Sequence, residues 1–132
     1  MNKTINQIVD RMCQSVPGLY AALVLDDEGI PLAKVLPGQI LRDESINESL
    51  INTMIIKASK GASWVSEKLV KGSLDFVIMK TSNGTVFIRE MSSKNPNIVD
   101  PMHIIVLADS LIPIELALLH IEKLRRQIAK IV

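Results

Sequence analysis

Aromatic side chains are scarce, with one Trp, one Tyr and two Phe in 132 residues. Single-stranded nucleic acids are held largely by bases stacking on aromatic rings, and this chain has little material for that. It also lacks an excess of either charge, with 15 Lys and Arg against 14 Asp and Glu. A nucleic-acid binder gathers a basic surplus on one face, so no nucleic-acid partner is expected. The single cysteine, Cys13, excludes an intrachain disulfide and suits a reducing compartment. No apolar run approaches the roughly 20 residues that span a bilayer. The opening MNKTINQIVDRM is polar and periodic, unlike a signal peptide. Asn2 and the closing AKIV offer neither the usual myristoylation start nor a prenylated cysteine. The expectation is a cytoplasmic protein with no direct membrane insertion, recruited to membranes only through a partner.

Signatures of chemistry are missing as well. Neither GxxxxGKS/T nor GxGxxG occurs, so no phosphate-cradling loop is expected. A Cys–His nucleophile pair would need Cys13 with His103 or His120. Cys13, however, falls on an apolar helical stripe, where cysteine acts as a small core hydrophobe. One Cys and two His do not assemble a zinc site without help from carboxylates. No catalytic residues, no metal and no cofactor are therefore expected, and the chain is not read as an enzyme.

What is present is a globular composition: 48% apolar and 22% charged residues, enough for one domain over residues 1–132. Ile5, Ile8, Val9, Met12, Cys13 and Val16 recur at helical spacing. Thr4 with Gln7 fits a capping box, and Pro17-Gly18 ends the helix. A strand follows over Leu19–Leu25, apolar at every position and so expected to be covered on both faces. Its hairpin partner, Ile30–Leu36, carries Pro31, which suits a sheet edge. A long helix is expected from about Glu44 into the 60s, with Ser45 and Glu48 as a second capping box. Ile46, Leu50, Met54 and Ala58 form one stripe on it, Ile51, Ile55 and Ala62 a second, and Ile56 widens the apolar arc. Docking on a sheet needs only one stripe, so the surplus points to a partner surface. A second hairpin pairs Leu74–Thr81 with Thr85–Met91 through Asn83-Gly84, a dipeptide that accepts positive φ at both residues. MHIIVLAD is a fifth strand. The last helix carries the stripe Ile114, Ala117, Leu118, Ile121, Leu124, Ile128 and Ile131. Hairpin connections predict an antiparallel sheet, and doubly apolar strands predict helices on both faces. The predicted fold is an α/β three-layer sandwich. Its central five-stranded antiparallel sheet carries the first and last helices on one face and the long middle helix on the other.

Three features could carry function. Asp26, Asp27 and Glu28 in DDEG could ligate a divalent ion, but no acidic loop of calcium-binding length surrounds them. The preferred reading is a polar hairpin tip closed by Gly29, and on that reading Asp26→Asn with Asp27→Asn leaves folding and partner binding nearly intact. Lys123, Arg125, Arg126 and Lys130 could meet an acidic partner or membrane. They are read instead as a solvated face beside a negative helix terminus. Trp64, the only tryptophan, is either a core residue or an exposed interface anchor.

With this order of elements reached, SVPGLYAALVLDDEGIPLAKV resembles the opening of the Roadblock, or dynein-light-chain-like, family. The likeness rests on Val16, Gly18, Leu19, Ala21, Val24, Asp26, Gly29, Pro31 and Leu32. LDFVIMKTSNGTVFI, MHIIVLAD and a long last helix match the remainder in order. Within the family the opening looks closest to Ragulator scaffold subunits, and similar domains occur in archaea and in bacterial polarity regulators. The polar loop Lys94 to Pro101 is longer than average for the family. The resemblance implies a dimer, with itself or a paralogue, formed by the middle helices and the edge of the third strand. Mapped onto this chain, Ile51, Met54, Ile55 and Ala58 with Leu74, Phe76 and Ile78 become the dimer contacts. It further implies a platform for a small Ras-like GTPase, with no catalytic motif of its own. The alternative is a profilin-like sensor of a small ligand or metal.

Overall fold

The computed structural model describes residues 2–97 and 99–132; Met1 and Ile98, the latter within the long polar loop, lie outside them. Helix α1 spans Lys3–Ser15, and strands β1 and β2 span Leu19–Leu25 and Pro31–Val35. One helical turn, α2, follows at Gly38–Leu41, then the long helix α3 over Glu48–Val65, which runs on into a π-helical turn at Ser66–Val70. Strands β3 (Val77–Lys80), β4 (Thr85–Met91) and β5 (Met102–Ala108) precede helix α4 (Ile114–Ala129). The sheet order is β2-β1-β5-β4-β3, and each neighbouring pair is antiparallel. Pro31 therefore sits on an edge strand, as its missing N–H requires.

The two faces of the sheet are covered unequally. On one, Ala22, Val24, Phe87, Ile104 and Val106 meet Ile5, Val9 and Met12 of α1 and Ala117, Ile121, Leu124 and Ile128 of α4, all buried in one core cluster. On the other, Leu23, Leu25, Ile88 and Ile105 meet a single buried apolar residue of α3, Ile56. The buried stripe of α3 is Asn52, Ile56 and Ser59. The residue expected only to widen its apolar arc is thus the one that docks. On the larger face, Arg89 of β4 reaches Glu122 of α4 at 2.7 Å. Burial raises the pKa of Glu122, but hydrogen bonds from Arg89 and Arg125 outweigh it and hold the carboxyl below its ordinary value.

Several local expectations shift by a few residues. Asn2 caps α1 by accepting from the Ile5 N–H, in place of Thr4. Asn47 caps α3 by accepting from the Leu50 N–H, while Ser45 is engaged with Asp43 in the preceding loop. Asn can bond a helix N–H two or three residues on as well as Ser or Thr, and here it stands nearer the true helix starts. Strand β3 is shorter than Leu74–Thr81, which leaves Leu74 and Phe76 ahead of it. The tight Asn83-Gly84 turn does not form. Lys80 pairs with Thr85, so the loop has four residues, Thr81 to Gly84, and neither Asn83 nor Gly84 has positive φ. Thr81 organises it: its Oγ1 accepts from the N–H of Asn83 and of Gly84 and its backbone N–H donates to the Gly84 carbonyl.

Gly84 is required for space rather than for φ. A Cβ there would lie 2.5 Å from the Ala108 carbonyl oxygen. Gly84→Ala should cost about 1–3 kcal/mol, the range of overpacking a rigid contact, read as a lower midpoint in urea denaturation. Asn83→Ala, an exposed substitution, should stay within about 0.5 kcal/mol.

Candidate interaction surface

A sheet edge presents unpaired N–H and C=O groups, which either are covered or recruit another strand. The two edges here differ. At β2 the Lys34 N–H is taken by the side chain of Asn6 at 2.9 Å, and the Leu32 carbonyl accepts from the Asn2 N–H at 2.8 Å. Helix α1 thus closes that edge, with Pro31 at its start. Among the described residues β3 has one strand neighbour, β4, and Ile78 and Met79 are each 40% exposed.

Helix α3 lies on the face beside this open edge. Its outer side exposes Leu50, Ile51, Met54, Trp64 and Val65, and the π-turn adds Leu69 and Val70. Of the sequence-predicted contacts, Ile51 and Met54 are exposed at 41% and 53%, Ala58 is exposed and Ile55 half-buried. These four share one helix. Leu74, Phe76 and Ile78 are placed differently. Val77 lies opposite Ile88 and so faces α3. Ile78 lies opposite Phe87 and faces α4, and Phe76 packs half-buried against that same core, with the Arg89 guanidinium 5.3 Å from its ring. Leu74 is half-buried in the approach to β3. The side chain that β3 turns toward the α3 groove is Met79, which period-two alternation from Val77 identifies. Trp64 is 62% exposed, so it is not a core residue.

Between α3 and the sheet runs an apolar groove of about 300 Å³, floored by Leu23, Ile105 and Leu107 and walled by Ile51, Ile55 and Met79. Asn52 lines this groove, and with Ser59 it places polar side chains at two of the three buried positions of α3. The Ser59 hydroxyl is buried without a hydrogen-bond partner.

The DDEG tip fixes the far half of α3. Asp26 is a turn residue: its Oδ1 accepts from the N–H of Glu28 and of Ile30, and Gly29 takes φ 88°. Asp27 does more than decorate the tip. One oxygen lies 3.0 Å from Nε2 of His103 on β5 and the other 3.0 Å from Nζ of Lys60 on α3. His103 is fully buried. Because a carboxylate only accepts, Nε2 carries the proton, and Nδ1 is left without a partner. Burial raises the pKa of Asp27, but the hydrogen bonds from His103 and Lys60 prevail and hold it below its usual value. One carboxylate therefore joins the first hairpin, the central sheet and α3. The link was not legible in the sequence, since 76 residues separate its ends; a His inside an otherwise apolar strand was the available signal. Among the described residues, no three His, Cys, Asp or Glu side chains are placed to hold a metal ion. Cys13 is half-buried, and burial with the nearby Asp10 charge pushes its thiol up to about 11.

No family model matches the sequence, and no curated protein matches it either. Solved structures do match. MglB of Myxococcus xanthus superposes with a TM-score of 0.76 over 98% of this chain and 94% of its own, at 12% identity. MglB in a tetrameric arrangement gives 0.75, over 98% and 88%, at 11% identity. A Roadblock/LC7 domain from Streptomyces avermitilis gives 0.72, over 93% and 92%, at 12% identity. The chain has the Roadblock/LC7 fold.

Two outcomes follow from this geometry. The Asp27 pairing stabilises the fold fully above the ordinary carboxylate pKa of about 3.9 and is lost as pH falls through the lower folded value. Wild type should therefore lose more stability than Asp27→Asn between about pH 5 and pH 2 in chemical denaturation. At neutral pH, Asp27→Ala should cost about 1–3 kcal/mol by orphaning a buried donor, and Asp26→Ala less. Separately, the Cys13 thiol should react with a maleimide far more slowly in the folded protein than after unfolding.

Proposed function

We propose that this chain is a non-catalytic, self-associating Roadblock-type module that scaffolds or regulates a small Ras-like GTPase. The observation that carries the reading is the open β3 edge beside an apolar helix face, at a place in the fold where the second edge is already closed by α1. Two copies, or one copy and a paralogue, pair their β3 strands antiparallel and extend the sheet across the contact. Their α3 helices then meet through Ile51, Met54, Ile55 and Ala58. Edge pairing supplies directional main-chain bonds, and the helix contact removes apolar surface from water at roughly 25 cal/mol per Å².

The GTPase enters through the family resemblance. A paired sheet flanked by two helices gives a broad, rigid platform on which a globular partner docks, with Trp64 as an exposed anchor of the type that dominates interface energetics. Any change in GTPase activity then comes from repositioning the GTPase's own residues. Among the described residues no helix is long and apolar enough to cross a membrane; on this reading any membrane recruitment passes through the partner.

Light scattering at tens of micromolar, on the order of typical association studies, should return twice the chain mass. Met54→Asp places a carboxylate in the helix contact and should shift the equilibrium to monomer, weakening association by about tenfold or more. A strict monomer for wild type, or an unchanged dimer for Met54→Asp, removes the contact as drawn. Pull-down with Ras-like GTPases encoded by the same genome, in GDP and GTP-analogue states, tests the partner. Absence of binding in both states removes that half of the proposal and leaves self-association standing.

A further inference from the structure

On the sheet face opposite the proposed self-association surface, α1 and α4 lie side by side over the larger core. A cleft of about 190 Å³ runs between them, with an apolar floor that includes Met12 and Leu124 and a rim that includes Arg11 and Lys123. The outer side of α4 continues this surface. Leu116, Leu119, Lys123, Arg126 and Lys130 recur at intervals of three and four, which places them within one narrow arc of the helix. Leu116 is 44% and Leu119 70% exposed, and Lys123, Arg126 and Lys130 are exposed too. The arc is therefore apolar toward its N-terminal end and cationic toward its C-terminal end.

The charges on that arc are not consumed internally. Glu122 takes Arg89 and Arg125, which removes Arg125 from the exposed set. Among the described residues Arg11, Lys123, Arg126 and Lys130 form no ion pair. A solvated helix face ordinarily intersperses both signs. Here one sign gathers beside a concave apolar floor, in a chain whose overall charge is close to neutral.

We propose that the outer arc of α4, together with the adjoining rim of the α1–α4 cleft, docks an acidic amphipathic peptide segment of a partner protein. Its apolar end lies on Leu116 and Leu119, and its acidic end lies against Arg11, Lys123 and Arg126. Charge complementarity and the apolar-to-cationic step along one helix face fit a peptide of matching polarity, and the cleft between Arg11 and Lys123 has room for one of its side chains. The surface lies across the sheet from α3, which leaves it clear of the proposed contact between α3 helices. The inference is independent of the GTPase reading.

The probe is a fluorescein-labelled synthetic helix with Leu and Ala in its first half and Glu in its second, titrated by fluorescence anisotropy. Wild type should bind it saturably, with affinity falling as salt rises, and should not bind the same peptide with Lys in place of Glu. Lys123→Glu with Arg126→Glu should weaken the Glu peptide by about tenfold or more and strengthen the Lys peptide. Leu119→Ser should weaken binding of the Glu peptide while leaving the salt dependence in place. Circular dichroism checks that the surface variants keep their helices. No saturable binding, equal binding of both peptides, or indifference to the charge reversal each overturns the proposal. So does binding of wild type to phosphatidylserine vesicles at peptide concentrations where the Glu peptide fails, which would assign the surface to membranes.

Discussion

The structure turns on the two central strands. β1 and β5 are apolar on both sides, with eleven of their fourteen residues buried hydrophobics, and a strand of that kind is stable only between two covers. The first cover is generous. Two helices contribute seven buried apolar side chains to it, and Arg89 and Glu122 tie it down at the side. The second is thin. Helix α3 brings one buried isoleucine flanked by Asn52 and Ser59, and it is held in place at either end by charges: Lys34 to Glu48 near its start and Asp27 to Lys60 toward its end, each at 3.0 Å.

That imbalance links stability to function. A helix that spent its apolar residues inward would close the sheet and finish the fold. In α3 those residues point outward, so the same side chains that would have completed a monomer are available to a partner. Polar groups at Asn52 and Ser59 keep the inner contact shallow, and the pairing of Asp27 with His103 and Lys60 sets where the helix lies despite it. Specific polar contacts here fix position, while the outward apolar side chains of α3 stay exposed.

Much of this was legible in the sequence. The unbroken apolar runs of β1 and β5 dictated helices on both faces, Pro31 dictated an edge, and the surplus stripe of the middle helix marked an unpartnered surface. Boundaries were less legible where several residues could serve equally. Asn2, Thr4, Asn47 and Ser45 are all capable caps, and tertiary position chose between them. The Asn83-Gly84 turn failed because Thr81 offered the loop more hydrogen bonds than a two-residue turn contains. The side-chain facing of β3 and the Asp27–His103 pair were hidden for a different reason. Both depend on register between distant segments, which local spacing does not encode.

The closed edge at β2 has a further consequence for assembly size. A sheet with two open ends adds strands at both and grows as a filament. With Asn2 and Asn6 occupying the Leu32 carbonyl and the Lys34 N–H of β2, the β3 edge is the more open of the two. Pairing like edge with like edge satisfies both copies at once and creates an isologous, two-fold contact with no remaining end. On the proposed self-association, a few polar contacts from the first helix would thus limit sheet growth to a finite particle.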